Sequence, residues 1–206
     1  VTSPLLRVAG LIAGYGRPVV GPVSLEIRPG EVVGLWGANG CGKTTLLNAI
    51  TDRADVLAGS IERAPGLTLA YQEQQPVRLP VMPVTGRELL GYAGATLEGM
   101  PAALQVSLSK RLDRLSGGQF QLLCVWAALA GDADLILLDE PTNNLDPDRE
   151  ALMTRMLART VAGVSDPGRP LRTSDREAGV PNRAVLLVSH ERRFLEGACS
   201  RLVEIG

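Results

Sequence analysis

The stretch Gly37-Ala-Asn-Gly-Cys-Gly-Lys-Thr-Thr45 leaves this chain few folds to choose from. It fits G-x-x-x-x-G-K-[ST], a glycine-rich loop that cradles phosphate only where it joins a buried strand to the start of a helix. Gly37, Gly40 and Gly42 can take backbone angles closed to other residues and let the chain come close to a ligand. The backbone N–H groups of the loop, those of Asn39, Cys41 and Thr45 among them, then turn toward phosphate oxygens. Lys43 adds a positive charge for the outer phosphates, and the Thr44 hydroxyl is placed for Mg²⁺. Both flanks suit the motif. Val32 to Trp36 reads as a buried strand, and Lys43 to about Thr51 as a helix with Leu46, Leu47 and Ile50 turned inward. The N-terminus of that helix adds its partial positive charge to the site.

A length of 206 residues suits one α/β domain, with or without a small insert. The formal net charge of −1 supplies no basic field for nucleic acid, and an aromatic content of 3% supplies no stacking platform for single strands. The three cysteines, Cys41, Cys124 and Cys199, are scattered and show no metal-ligand spacing, which argues against a disulfide framework and for a reducing compartment. No apolar run approaches the roughly 18–20 residues that span a bilayer, and no signal peptide is visible at the N-terminus.

Along the chain, residues 5–28 are β-rich, and Val23 to Ile27 alternates as a half-buried strand should. Pro29-Gly30 is a turn pair leading into the strand before the phosphate loop. Ser60–Arg63 and Leu67–Tyr71, either side of Ala64-Pro-Gly66, predict a hairpin. Gln72–Pro83 is polar and proline-rich, a loop. Residues 85–114 favour helix and predict a small helical subdomain, followed by a strongly apolar helix over Gln119–Ala130. Leu135–Leu138 is a short continuous apolar run, as in a strand buried on both faces of a parallel sheet. Asp146-Pro147 predicts a helix cap with proline in the first turn, and Leu152, Met156 and Leu157 give that helix its inward face. Ala184–Val188 is another buried strand. These units make a doubly wound α/β sheet. Residues 163–183, rich in Gly, Pro, Ser, Asp and Arg, predict a long surface loop.

Two further constellations bear on chemistry. Asp139-Glu140 ends the apolar run, and acidic residues at the carboxyl end of a buried strand sit where ligands bind in such sheets. Asp139 would hold Mg²⁺, directly or through water, and Glu140 would orient or polarise a water attacking the γ-phosphate. Leu115-Ser-Gly-Gly-Gln119 places Ser116 three residues before Gln119, a capping box at the start of an apolar helix. With Gly117 and Gly118 exposing backbone N–H groups there, it forms a second anion-binding helix start.

At these residues the chain resembles the nucleotide-binding subunits of the ATP-binding cassette (ABC) family. The motifs occur in the family's order and spacing over nearly the whole chain, residues 163–183 excepted. The resemblance implies a P-loop NTPase (RecA-like) core with a mostly parallel sheet, an N-terminal antiparallel β subdomain and a small α-helical signature subdomain. It implies one nucleotide-binding domain over residues 1–206, with the helical part inserted at about 85–130. Tyr15 matches the aromatic that stacks on adenine. Gln74 best matches the glutamine that touches Mg²⁺ and the attacking water, with Gln72 as its rival. Ser116, Gly117, Gly118 and Gln119 match the signature motif, and Asn143-Asn-Leu-Asp146 the loop that crosses the dimer interface. His190, the single histidine, matches the switch residue on the γ-phosphate. The sequence departs from the family at Leu122 and Ala127, where relatives usually carry arginines, and at Glu191, which replaces an aspartate.

The resemblance further implies an ATPase using ATP and Mg²⁺. It would work as a head-to-tail dimer, each ATP held between one subunit's phosphate loop and the other's Ser116. Gln74 to Leu90 and Ser116–Gln121 are similar to ATPases of zinc and manganese importers. Pro141–Asp146 and Ser189–Leu195 are instead similar to the soluble translation-factor branch, whose members usually carry two cassettes joined by a charged linker. One cassette without a linker favours transport. The partners implied are a second nucleotide-binding subunit, an integral-membrane permease and any substrate-binding protein, with no nucleic acid. The location implied is cytoplasmic, on the inner face of the cell membrane.

Overall fold

The computed structural model describes residues 3–74, 83–143, 145–162 and 183–206. The expected surface loop at 163–183, most of the loop after Gln72 and Asn144 lie outside the described residues.

Five strands form one parallel sheet in the order β5-β6-β7-β3-β8: β3 (Val32–Trp36), β5 (Leu69–Gln72), β6 (Leu135–Asp139), β7 (Ala184–Val188) and β8 (Arg201–Glu204). The three central strands are apolar apart from Asp139 at the end of β6, because both faces are covered. In β6, Leu135 and Leu137 face one layer while Ile136 and Leu138 face the other, and β7 divides Leu186 from Val185 and Leu187 in the same way. The first layer holds α1 (Lys43–Ile50) and a three-stranded antiparallel sheet, β2-β1-β4, made of β1 (Leu6–Gly14), β2 (Pro18–Ile27) and β4 (Asp55–Arg63). The second holds α4 (Gly117–Leu129), α5 (Pro147–Val161) and α6 (Arg192–Ala198). Each fully buried Leu or Val in these layers contributes about 1.5–3 kcal/mol of transfer free energy.

The sequence predicts β3, β6 and β7 nearly to the residue, and α1 ends one residue short of the expected Thr51. Asp146 caps α5, its Oδ1 accepting from the Arg149 N–H at 3.0 Å, with Pro147 in the first turn. The inward face of α5 is Met153, Met156 and Leu157, while Leu152 is only half-buried.

The hairpin expected at 60–71 does not form. Ala64–Leu67 is a turn, closed by the Leu67 N–H on the Ala64 carbonyl at 3.1 Å, but it hands the chain from one sheet to the other. Its first arm, β4, pairs antiparallel with β1, placing Ile61 opposite Val8. Its second arm, β5, pairs parallel with β6, placing Leu69 beside Leu135. The carboxylate of Asp134 fixes the second arm, accepting from the Thr68 N–H at 2.9 Å and the Thr68 hydroxyl at 2.7 Å. That anchor lies 66 residues away in sequence, so no local pattern announces it. Residues 85–114 are also less helical than expected. They carry α2 (Gly86–Tyr92), α3 (Ala102–Gln105) and one 3₁₀ turn at Leu112–Arg114, joined by irregular chain. Thr85 and Glu88 start α2 with a reciprocal capping box.

Candidate functional site

The order of the parallel sheet sets the site. β7 lies between β6 and β3, and all run the same way, so the residues leaving their carboxyl ends are neighbours. Those residues are the phosphate loop after β3, Asp139-Glu140 at the end of β6, and Ser189-His190 after β7. Ligands bind at this edge of open parallel sheets.

The loop's glycines are needed for different reasons. Gly42 has φ +95° and caps α1 in the left-handed region. Gly37 is needed for room, since a Cβ there would lie 2.1 Å from the Ile205 carbonyl oxygen. Ala38, Asn39 and Gly40 form the exposed crown of the loop, and Cys41 is half-buried against the core. Lys43 is 7% exposed, and its Nζ donates to the carbonyls of Gly37 at 2.8 Å and Ala38 at 3.0 Å. The ammonium is thus held over the loop. Thr45, also 7% exposed, is buried beneath it, while Thr44 is exposed.

Asp139 is fully buried. Its Oδ2 accepts from the Tyr71 hydroxyl at 3.4 Å, and the Thr44 side chain lies beside the carboxylate. Oδ1 has no hydrogen-bond partner. An orphaned buried carboxylate oxygen beside a threonine hydroxyl is hard-oxygen chemistry suited to Mg²⁺. Among the described residues no group of three or more His, Cys, Asp and Glu could hold a metal. An ion here would therefore take its other ligands from water and phosphate, as Mg²⁺ does at nucleotide sites.

Burial holds the Asp139 carboxyl above the ordinary carboxylate range. The neighbouring Glu140 charge adds to this, against the Thr44 and Tyr71 hydroxyls and the Lys43 charge. A carboxyl whose pKa is raised on folding contributes stability that is present below its unfolded value and is lost as pH rises through the folded value. At neutral pH the ionised Asp139 is therefore a cost to the fold. Asp139→Asn is expected to raise the melting temperature of the nucleotide- and Mg²⁺-free chain at pH 7, by about 2–4 °C for each 1 kcal/mol recovered. The gain should shrink as pH falls toward the carboxylate range. Thermal melts from pH 5 to pH 8 test this, and a variant melting lower than the parent at pH 7 would contradict it.

Glu140 is 6% exposed and takes φ +47°, a conformation costly for a residue with a side chain. Three contacts enforce it. The Glu140 N–H donates to the Val188 carbonyl at 2.9 Å, the Asn143 N–H donates to the Glu140 carbonyl at 3.2 Å, and Glu140 Oε2 meets His190 Nδ1 at 2.7 Å. Oε2 also accepts from the His190 N–H at 3.3 Å. Glu140 and His190, fifty residues apart, are thereby one unit.

A cavity of about 540 Å³ adjoins Asp139 and Thr44. Gln74 lines it, whereas Gln72 is buried at 6% exposure with its amide donating to the Glu73 carbonyl. Asn48, Arg53, Tyr71 and Glu73 also line it; sequence reasoning did not single these out. Tyr15 is 55% exposed rather than packed in the core, and its hydroxyl accepts from Asn48 Nδ2 at 2.8 Å.

Ser116 forms the expected capping box. Its hydroxyl accepts from the Gln119 N–H at 3.2 Å, and Gln119 Oε1 accepts from the Ser116 N–H at 3.1 Å. Gly117 and Gly118 open α4. Among the described residues no hydrogen bond or ion pair joins Ser116–Gln119 to the phosphate loop of the same chain. Leu122, at an expected arginine position, is 2% exposed within the second core layer, and Ala127 packs against that layer.

The family model described as ABC transporter matches residues 20–143. The chain is 34% identical over 206 residues to the zinc import ATP-binding protein ZnuC of Jannaschia sp. (strain CCS1), covering 97% of this chain and 78% of that one. It is 35% identical over 202 residues to the aliphatic sulfonates import ATP-binding protein SsuB 3 of Nocardia farcinica (strain IFM 10152), covering 92% of this chain and 72% of that one. Its fold matches a solved ATP-binding subunit of an ABC transporter at a TM-score of 0.73 and 24% identity, over 98% of this chain and 85% of the other.

Proposed function

The chain belongs to the ABC transporter family as an ATP-binding, ATP-hydrolysing subunit, and from that premise we propose that it powers a separate membrane permease, with a divalent metal ion as cargo. Among the described residues no helix is long and apolar enough to cross a membrane. The force it supplies reaches the cargo through a partner, which holds it at the inner face of the membrane.

In this reading ATP lies with its adenine on Tyr15 and its phosphates in the loop from Gly37 to Thr45. The backbone N–H groups of Asn39, Gly40, Cys41 and Gly42 and the Lys43 ammonium bind those phosphates. Thr44, Asp139 and Gln74 would hold Mg²⁺, whose charge offsets that developing on the phosphoryl oxygens. Glu140 polarises the attacking water, and His190, held by Glu140 through Nδ1, keeps Nε2 available for the γ-phosphate. The observation that carries this reading is the 2.7 Å contact between Glu140 and His190. It joins the residues leaving β6 and β7 at the edge where the phosphate loop leaves β3. Catalysis is mainly positioning and electrostatics.

Ser116–Gln119 offers a capped, glycine-exposed helix start that its own phosphate loop does not use. It serves the ATP of a second copy in a head-to-tail dimer, with Asn143–Asp146 at the interface. Closing and opening of the dimer move the helical subdomain at about 85–130, hinged at the Gln74 loop, and so the permease. The metal cargo is supported by the zinc import relative. The sulfonate import relative is similar at nearly the same level, in keeping with a cargo chosen by the permease and any substrate-binding protein.

The test is capture of tagged Glu140→Gln protein from its native cells with ATP present, analysing membrane and ribosome fractions. A co-purifying multi-span membrane protein is expected, and its pocket would identify the cargo. Ribosomes without a permease would contradict the transport reading.

A further inference from the structure

The cavity beside Asp139 is lined in part by a cluster, Arg53, Tyr71 and Glu73, that the ATP-binding motifs do not account for. Arg53 follows α1, with its N–H donating to the Asn48 carbonyl at 2.7 Å. Its guanidinium lies 5.2 Å from the centroid of the Tyr71 ring and forms an ion pair with Glu73. The Tyr71 hydroxyl donates to Asp139 Oδ2 at 3.4 Å. Glu73 is also held at its carbonyl by the Gln72 amide. The residue immediately before Gln74 is thus pinned at both ends, and one of its pins is rooted at the end of the helix that carries Thr44.

We infer that Arg53 and Glu73 form a latch that positions Gln74 over the Thr44–Asp139 corner. Arg53 is a positioning residue for hydrolysis, acting through Glu73 and Tyr71 rather than on the nucleotide. The inference rests on the role given above to Gln74. Both partners of the ion pair are about half exposed, so the latch is of modest strength. Exposed pairs of this kind contribute little and are screened by salt. The stacking on Tyr71 restricts the guanidinium to one arrangement and adds a cation–π attraction.

The latch has a signature that a general structural role lacks. At low salt Arg53→Gln is expected to lower kcat about three- to fivefold, the scale of an exposed ion pair with a cation–π contact. The Kd for ATP measured without Mg²⁺ should not change. The gain in ATP affinity on adding Mg²⁺, read by titration calorimetry, should fall in parallel with kcat. At about 0.5 M salt the gap between parent and variant should narrow, because the ion pair is then screened while the stacking on Tyr71 remains. Arg53→Glu, which sets two carboxylates side by side, should cost more, about tenfold. The swap Arg53→Glu with Glu73→Arg should recover most of that loss. In a Gln74→Ala background, Arg53→Gln should cost nothing further, since coupled residues are non-additive.

A full additional loss in the Gln74→Ala background overturns the latch, as does a swap that rescues nothing, which would instead place Arg53 on the nucleotide itself. Gln74→Ala with unaltered kcat and unaltered Mg²⁺ dependence would remove the role of Gln74, and the latch with it. That outcome is distinct from a latch that fails while Gln74 matters.

Discussion

Glu140→Gln is expected to lower ATP hydrolysis about 10²–10³-fold while ATP remains bound. The change is nearly isosteric, so the φ +47° backbone and its hydrogen bonds to Val188 and Asn143 stay in place. The amide can still meet His190 Nδ1 where the carboxylate does, at 2.7 Å. In the proposed mechanism what is lost is the negative charge that polarises the attacking water, and removing a positioned base of this kind costs factors of this size. A second consequence follows from the neighbouring charge. Glu140 is one of the groups that push the Asp139 carboxyl upward. Neutralising it relieves that repulsion and brings one less negative charge to the γ-phosphate. Binding should therefore hold or tighten as turnover collapses. Steady-state hydrolysis with ATP titration calorimetry checks both halves. A variant that retains more than about a tenth of the parent rate would take the role of base away from Glu140.

Lys43→Ala is expected to weaken ATP binding about 100-fold. Hydrogen bonds to charged groups contribute roughly 1.5–3 kcal/mol, and about 1.4 kcal/mol is a tenfold change in affinity. The loss should exceed that of a free surface lysine because the ammonium is buried and already oriented by the Gly37 and Ala38 carbonyls. Removing it deletes the charge and takes a donor from both carbonyls, of which that of Ala38 keeps the Cys41 N–H at 3.2 Å. Lys43→Arg should not restore binding, since a planar guanidinium cannot occupy the place of a compact ammonium between them. Affinity within threefold of the parent, measured by calorimetry, would contradict this account of the loop.

The centre of the molecule was legible in the sequence because it is buried on both faces. Leu135–Leu138 and Ala184–Val188 are unbroken apolar runs because layers cover the sheet above and below. Candidate site residues placed at the ends of such strands inherit that clarity. Ser116 with Gln119 and Asp146 with Pro147 were legible for another reason, since a cap is a local bond between residues three apart. What escaped was long-range or exposed. β4 lies at the edge of its sheet with nearly every residue exposed, so it carries no alternation. The partner of β5 was decided by Asp134, far along the chain. β8 is a short edge strand with no buried residue, and it and α6 gave no pattern to single out. The sequence contains Arg53, Tyr71 and Glu73 but not their meeting beside Asp139, which only the pairing of β5 with β6 creates. The sequence suggests unusual backbone angles and close approach to a ligand for Gly37, and the structure adds a need for space against Ile205.

The proposed site is composite, one copy's phosphate loop facing the other copy's Ser116. The native thiol of Cys41 already marks the loop, and burial pushes the thiols of Cys124 and Cys199 up to about 12, leaving them poorly reactive. With Ser116→Cys introduced into the Glu140→Gln chain, a short thiol-to-thiol cross-linker should join the new thiol to Cys41 of a second copy. The covalent dimer should form with MgATP and not without nucleotide. A chain that stays monomeric at saturating MgATP, or that cross-links equally well without it, would contradict the composite site.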